Sequence, residues 1–155
     1  TAALLAGSVV IGATIAGASA DDIQKLNRFA TEVGIAFQLQ DDLLDSYGDE
    51  QLGKKIGGDI LEGKKTYLMI ISLSHATEPQ REVLRKTHLR TDIDDEQKIA
   101  AVKEVYDAIG ARAMTEQQIS VRISRALAIL DTLDVPKHRT EHMRAYVESL
   151  VGRKK

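Results

Sequence analysis

The chain opens with TAALLAGSVVIGATIAGASA, twenty residues without a charge, and this run narrows the possible folds more than any other stretch. An uncharged segment of about 20 residues is long enough to cross a bilayer as a helix. Its composition argues against that. Most of it is Ala, Gly, Ser and Thr, no Trp or Tyr belt or basic flank anchors it, and Asp21 and Asp22 follow at once. Ala18-Ser19-Ala20 fits an A-x-A cleavage site, but a secretory leader needs a positive segment first, and none is present. The expectation is a helix buried in a protein core, with no membrane span. Gly7, Gly12 and Gly17 would let a neighbouring helix approach closely. The run starts at Thr1 without an initiator methionine, so the sequence reads as a piece of a longer chain.

The rest of the chain is helical in character. Two prolines, four tyrosines, two phenylalanines and no tryptophan, beside abundant Ala, Leu, Ile, Glu, Lys and Arg, predict an all-α fold. At 155 residues the material suffices for one domain. No cysteine is present, which removes disulfides and thiolate metal sites and fits a reducing cytoplasm. A net charge of −2 leaves no broad basic field, so nucleic acid is not an expected partner.

The pattern predicts a turn with a cap at Ala20-Asp21-Asp22, then a long helix from Ile23 to about Ser46. Tyr47 to Gly63 reads as a glycine- and charge-rich loop. A short apolar helix over Lys65–His75 follows, then one with Pro79 in its first turn running to about His88. Thr91 to Asp95 supplies caps for the next helix, whose apolar positions Ile99, Val102, Val105, Tyr106 and Ile109 recur at helical spacing, with a break at Gly110. A further helix is predicted from Ala111 to Leu133, stopped by Val135-Pro136, and a last one from Lys137 to Val151.

The predicted long helix ends in three carboxylates, Asp41, Asp42 and Asp45, in the stretch FQLQDDLLDSYGDEQLGKK. Asp41 and Asp45 are i,i+4 neighbours whose repulsion costs about 0.2–0.5 kcal/mol. At about 100° per residue, Asp45, Gln38 and Gly34 fall within about 60° of Asp41. Leu39, Leu43 and Ala36 lie opposite, so the helix is expected to be buried nearly all round. An inward carboxylate is costly unless paired or bound to a metal. Mg²⁺ would answer that need, being commonly held by one or two carboxylates together with phosphate oxygens. The positive partners of a phosphate are on offer at Gly53-Lys54-Lys55 and Gly63-Lys64-Lys65. GDEQLGKK and GDILEGKK nearly spell a P-loop, but each has lysine where Ser or Thr is required and neither follows a strand, which excludes an NTPase. The residue pattern by itself leaves two readings: a solvated acidic helix end and a diphosphate–Mg²⁺ site.

F-Q-L-Q-D-D-L-L-D followed by L-G-K-K-I-G-G-D-I-L-E-G-K-K-T resembles the second aspartate-rich motif and trailing loop of the trans-isoprenyl diphosphate synthases, the polyprenyl synthetases. Thr1 to Leu5 resembles the stretch after that family's Lys-Thr pair. The resemblance implies a helical bundle around a central cavity, of which residues 1–155 are the C-terminal part of a single domain, and a homodimer. It implies a Mg²⁺-dependent prenyltransferase that condenses isopentenyl diphosphate with an allylic diphosphate. Asp41, Asp42 and Asp45 would hold the metal, with Asp41 the direct ligand. Lys54 and Lys64 would bind the diphosphate and stabilise its departure, and Gln38 and Thr1 would face the developing cation. The family's first aspartate-rich motif and its isopentenyl diphosphate grip are absent from these residues. The missing N-terminal half is therefore an expected partner, and the fragment alone is expected to be inactive. A non-catalytic subunit of a heteromeric synthase and a terpene cyclase are the alternatives. His138 and His142, at zinc-ligand spacing without a third ligand, read as a solvated face. Asp92, Asp94 and Asp95 read as helix caps.

Overall fold

The computed structural model describes residues 1–48 and 56–151. Eight α-helices are formed among them: α1 (Ala2–Ile15), α2 (Ala20–Tyr47), α3 (Gly58–Leu61), α4 (Tyr67–His75), α5 (Glu78–Lys86), α6 (Asp95–Ile109), α7 (Ala111–Leu130) and α8 (Glu141–Val151). Short 3-10 turns occupy Thr87–Leu89 and Lys137–Arg139, and no strand occurs among the described residues. The fold is all-α, as the composition predicts.

Local chemistry accounts for most of the boundaries. Ser19 starts α2, its Oγ accepting the Asp22 N–H at 3.1 Å, and Asp21 and Asp22 place negative charge in the first turn, where the helix dipole favours it. Thr66 caps α4 through its hydroxyl and the Met69 N–H. Asp94 and Gln97 form a capping box at α6, and Gly110, left-handed at φ 75°, ends that helix. Several boundaries differ from the predicted ones: α2 begins at Ala20 rather than after a turn there, and α7 ends at Leu130 rather than Leu133. The expected loop over 47–63 contains α3, and the last helix begins at Glu141 because Pro136 first leads into the 3-10 turn.

The chain divides into two compact units, one of residues 1–38 with 117–151, the other of residues 39–116; both boundaries fall inside helices, α2 and α7. In the first unit the core is built from Phe29, Ala30 and Val33 of α2, Ile119, Ile123, Ala126 and Leu130 of α7, and Val147 and Leu150 of α8. The α7 positions recur every three or four residues, the spacing of one helix face. Arg122 of α7 pairs with Glu32 of α2 at 2.9 Å.

The first helix departs from expectation. Only Ala6 of α1 is buried, while Leu4, Ile11 and Ile15 are 79%, 61% and 83% exposed. One face is held: Leu5 and Val9 line an apolar hollow of about 310 Å³ with Phe29, Val33 and Met143. The other is apolar and uncovered among the described residues, so the buried core helix read from the sequence is realised on one side only. Its glycines do not serve close packing either, since a Cβ at Gly7, Gly12 or Gly17 would meet nothing within 4 Å. The close approach is made by Gly34 of α2, where a Cβ would stand 2.5 Å from Ala2 Cα. At fourteen residues α1 is short for a membrane span, and no helix among the described residues is long and apolar enough to cross one.

In the second unit the buried apolar residues include Leu39, Leu43, Ile60, Leu68, Met69, Leu84, Val102, Val105 and Tyr106, the last of which is 1% exposed. Burial of α2 is likewise less complete than predicted. Leu39, Leu43 and Ala36 are buried, but Phe37, Gln38 and Asp41 are exposed.

Candidate functional site

The last two turns of α2 concentrate like charge. Asp41, Asp42 and Asp45 follow one another there, the last turn contains no basic residue, and the carbonyl end of a helix dipole adds to the negative potential. The second unit resolves this by sending the three side chains to different environments. Asp41 is exposed. Asp42 is buried, and its Oδ2 accepts the Tyr67 N–H at 3.4 Å, at the N-terminus of α4 where the dipole is favourable.

Asp45 is half-buried and held by the turn that leads into α3. Its Oδ2 accepts the Asp59 N–H at 2.9 Å, and its backbone carbonyl accepts the Gly57 N–H at 2.7 Å. Gly57 is left-handed at φ 82°, and a Cβ there would lie 2.6 Å from Ile99 Cγ1, so glycine is required for both shape and space. Asp59 in turn receives Lys64: the ammonium lies 2.5 Å from Oδ1, and the Lys64 N–H reaches the Asp59 carbonyl at 2.9 Å. Gly63 turns this segment at φ 64° against the His88 ring.

Among the described residues, charge in this cluster is incompletely balanced. Burial pushes the Asp45 carboxyl above its ordinary range, and the nearby charges of Asp59 and Asp41 act in the same direction; the Asp59 N–H and Lys64 oppose them. Beneath the carboxylates, burial pushes the Tyr106 hydroxyl up to about 12, with Asp59, Asp42 and Asp45 adding to the effect and the Thr66 hydroxyl opposing it. At the end of α2, Tyr47 donates to Asp107 Oδ1 at 2.8 Å. Its ring lies 5.1 Å from the Lys103 ammonium and 5.3 Å from the Arg112 guanidinium.

The structure therefore brings Asp45, Asp59 and Lys64 into one connected network, with Asp42 facing the N-terminus of α4 in the same unit. Among the described residues no three Asp, Glu or His side chains converge to hold a metal by themselves. In the other unit Thr1 Oγ1 donates to Gln38 Oε1 at 3.1 Å, so those two sequence candidates also meet. Lys54 lies outside the described residues. His138 and His142 are exposed, as expected of a solvated face. Asp94 caps α6, whereas Asp92 pairs with Arg90 at 2.5 Å. Sequence reasoning missed Asp59, although its place in a Gly-Gly-Asp turn between two Gly-Lys segments was a usable signal. Tyr106 looked only like a core position of α6.

The sequence profile of the family described as polyprenyl synthetase matches residues 1–109. A short chain isoprenyl diphosphate synthase of Methanothermobacter thermautotrophicus is 35% identical over 136 residues, 87% of this chain and 40% of that protein. A polyprenyl synthetase of Streptomyces coelicolor superposes with a TM-score of 0.89 at 28% identity, covering 97% of this chain and 46% of that one. A geranylgeranyl pyrophosphate synthase of Corynebacterium glutamicum, solved with isoprenyl diphosphate and magnesium, gives a TM-score of 0.81 at 35% identity, over 92% of this chain and 41% of its own. The chain thus spans less than half the length of these relatives.

Proposed function

This chain belongs to the polyprenyl synthetase family, and from that premise we propose that it supplies the second aspartate-rich motif of a Mg²⁺-dependent prenyltransferase joining isopentenyl diphosphate to an allylic diphosphate. The observation that carries the reading is the Asp45–Asp59–Lys64 network, in which acid side chains lie half-buried with one ammonium among the described residues at their edge. That donor set fits Mg²⁺. The ion ordinarily takes only one or two carboxylates and completes its shell with water and phosphate oxygens, and Asp41 and Asp45 stand one helical turn apart on α2. In this reading Asp41 is the direct ligand and Asp45 its neighbour, while Asp42 chiefly holds α4. A bound Mg²⁺ would draw electron density from the diphosphate oxygens and stabilise the charge that develops as the diphosphate leaves.

Lys64 would place a fixed positive charge against those oxygens, where it counts most in the transition state, and Lys54 would act similarly. Thr1 and Gln38 would present oxygen lone pairs to the allylic carbon as positive charge grows on it. The magnesium and isoprenyl diphosphate bound by the Corynebacterium relative support this choice of ligand.

Calorimetric titration of Mg²⁺ with a non-hydrolysable allylic diphosphate analogue tests the proposal. Binding should be strengthened by the metal, and that Mg²⁺-dependent gain should be lost in Asp41→Ala without loss of helicity. Equal binding by the variant would remove Asp41 from the site. The chain by itself should not condense the two diphosphates, and robust turnover without any other polypeptide would show that these residues need no further half.

A further inference from the structure

Lys64 does not wait with a free charge. Its ammonium lies 2.5 Å from Asp59 Oδ1 and 3.5 Å from Glu62 Oε2. The three side chains differ in freedom: that of Asp59 is 14% exposed, those of Lys64 and Glu62 are 55% and 67% exposed. Asp59 is also pinned through its backbone, its N–H donating to Asp45 Oδ2 and its carbonyl accepting the Lys64 N–H. A shielded carboxylate on a fixed backbone thus faces an ammonium on a flexible stem. A diphosphate oxygen offers that ammonium the same kind of contact, an anionic acceptor.

Resting on the proposed function, we infer that Asp59 is a resident substitute for the diphosphate: it holds Lys64 when no ligand is bound and must be displaced from the ammonium when one arrives. The exchange trades one ion pair for another and moves no proton. It leaves a released Asp59 carboxylate beside Asp45, with two like charges in a partly desolvated place, a state that a divalent cation relieves. Asp59 therefore couples the anion to the metal, and such coupling is reciprocal: each ligand strengthens the other by the same factor. Asp59 acts through Lys64 and the α2 carboxylates, and so sets how strictly anion binding depends on Mg²⁺.

The test is calorimetric titration with inorganic pyrophosphate, first in chelator and then in Mg²⁺. Asp59→Asn keeps the backbone bonds and removes the competing charge. Without metal it should bind pyrophosphate roughly two- to fivefold more tightly than the parent chain, the range set by partly exposed ion pairs, and its enhancement by Mg²⁺ should shrink. Glu82→Gln, which deletes one charge from the exposed pair with Lys86 on α5, controls for net charge and should change neither quantity. The double variant Asp59→Asn, Lys64→Met should lose the gain. If Asp59→Asn does not fold, Asp59→Ser carries the same expectation. A gain no larger than that of Glu82→Gln, or one that survives loss of Lys64, overturns the inference. Should the parent chain show Mg²⁺-dependent binding while Asp59→Asn gains nothing, the inference fails and the proposed function stands. A metal-free gain with no Mg²⁺ effect in any form overturns the coupling to the metal along with the proposed function, and no pyrophosphate binding by any form likewise overturns both.

Discussion

Replacing Gly57 by alanine should damage the second unit by two separable effects. The first is conformational: Gly57 sits at φ 82°, where an L-residue costs about 1–2 kcal/mol. The second is steric, because the new Cβ would lie 2.6, 2.7 and 3.0 Å from Cγ1, Cδ1 and Cγ2 of Ile99, and overpacking of that kind costs about 1–3 kcal/mol. Together they predict a loss of about 2–5 kcal/mol. Gly110 supplies the control, since its φ is 75° but a Cβ there meets nothing within 4 Å; Gly110→Ala should cost only the conformational part, about 1–2 kcal/mol. Urea unfolding followed by far-UV circular dichroism measures both. A double-mutant cycle with Ile99→Ala should return a coupling near the steric part. Because the Gly57 N–H holds the Asp45 carbonyl, Mg²⁺-dependent pyrophosphate binding should weaken in Gly57→Ala and not in Gly110→Ala. If Gly57→Ala is as mild as Gly110→Ala and uncoupled from Ile99, the turn does not pack as described.

Three further outcomes are expected. Gly34→Ala should destabilise the first unit by about 1–3 kcal/mol, because Ala2 Cα stands where the Cβ must go; an unchanged urea midpoint would refute the close contact of α1 with α2. Ser72 is fully buried and its hydroxyl has no hydrogen-bond partner among the described residues, so Ser72→Ala should be neutral or stabilising by up to about 1 kcal/mol, and a clear loss would reveal a missed partner. The Tyr106 hydroxyl, raised from 10.0 to about 12 by burial, keeps its proton in the folded chain after the unfolded chain has released it. Stability should thus be unaffected by this group below pH 10 and fall by about 1.4 kcal/mol per unit from there to about pH 12. Tyr106→Phe should flatten that part of the urea-midpoint profile, and an unaltered slope would contradict the burial.

Much of the helical framework was legible because helix ends are written locally. Asp94, Pro79 and Gly110 each act within one turn, so a linear reading finds them. Contacts between distant segments were not legible. The apolar pattern of α1 gives no sign that Leu4, Ile11 and Ile15 remain uncovered, since burial depends on what packs against a face. Its three glycines drew attention from Gly34, which looked ordinary within α2 yet meets Ala2. The crowded carboxylates were evident, but their separation into an exposed Asp41, an inward Asp42 and a clamped Asp45 depends on Asp59 and Tyr67. Those groups lie 14 and 25 residues away from their partners in sequence.

The central claim is that Asp45, near the end of α2, carries a charge that its half-buried place disfavours because it serves a cation and a diphosphate. Comparing the unfolding of the parent chain with that of Asp45→Asn, each with and without Mg²⁺ and pyrophosphate, tests this most directly. Asparagine keeps an oxygen for the Asp59 N–H and removes a charge that burial disfavours. Alone, the variant should be the more stable of the two. With ligand at about 100 times its dissociation constant, the parent should gain about 2.7 kcal/mol and the variant far less, so the gap narrows or reverses. A variant less stable from the outset, or equal ligand-induced gains in both, would contradict the account.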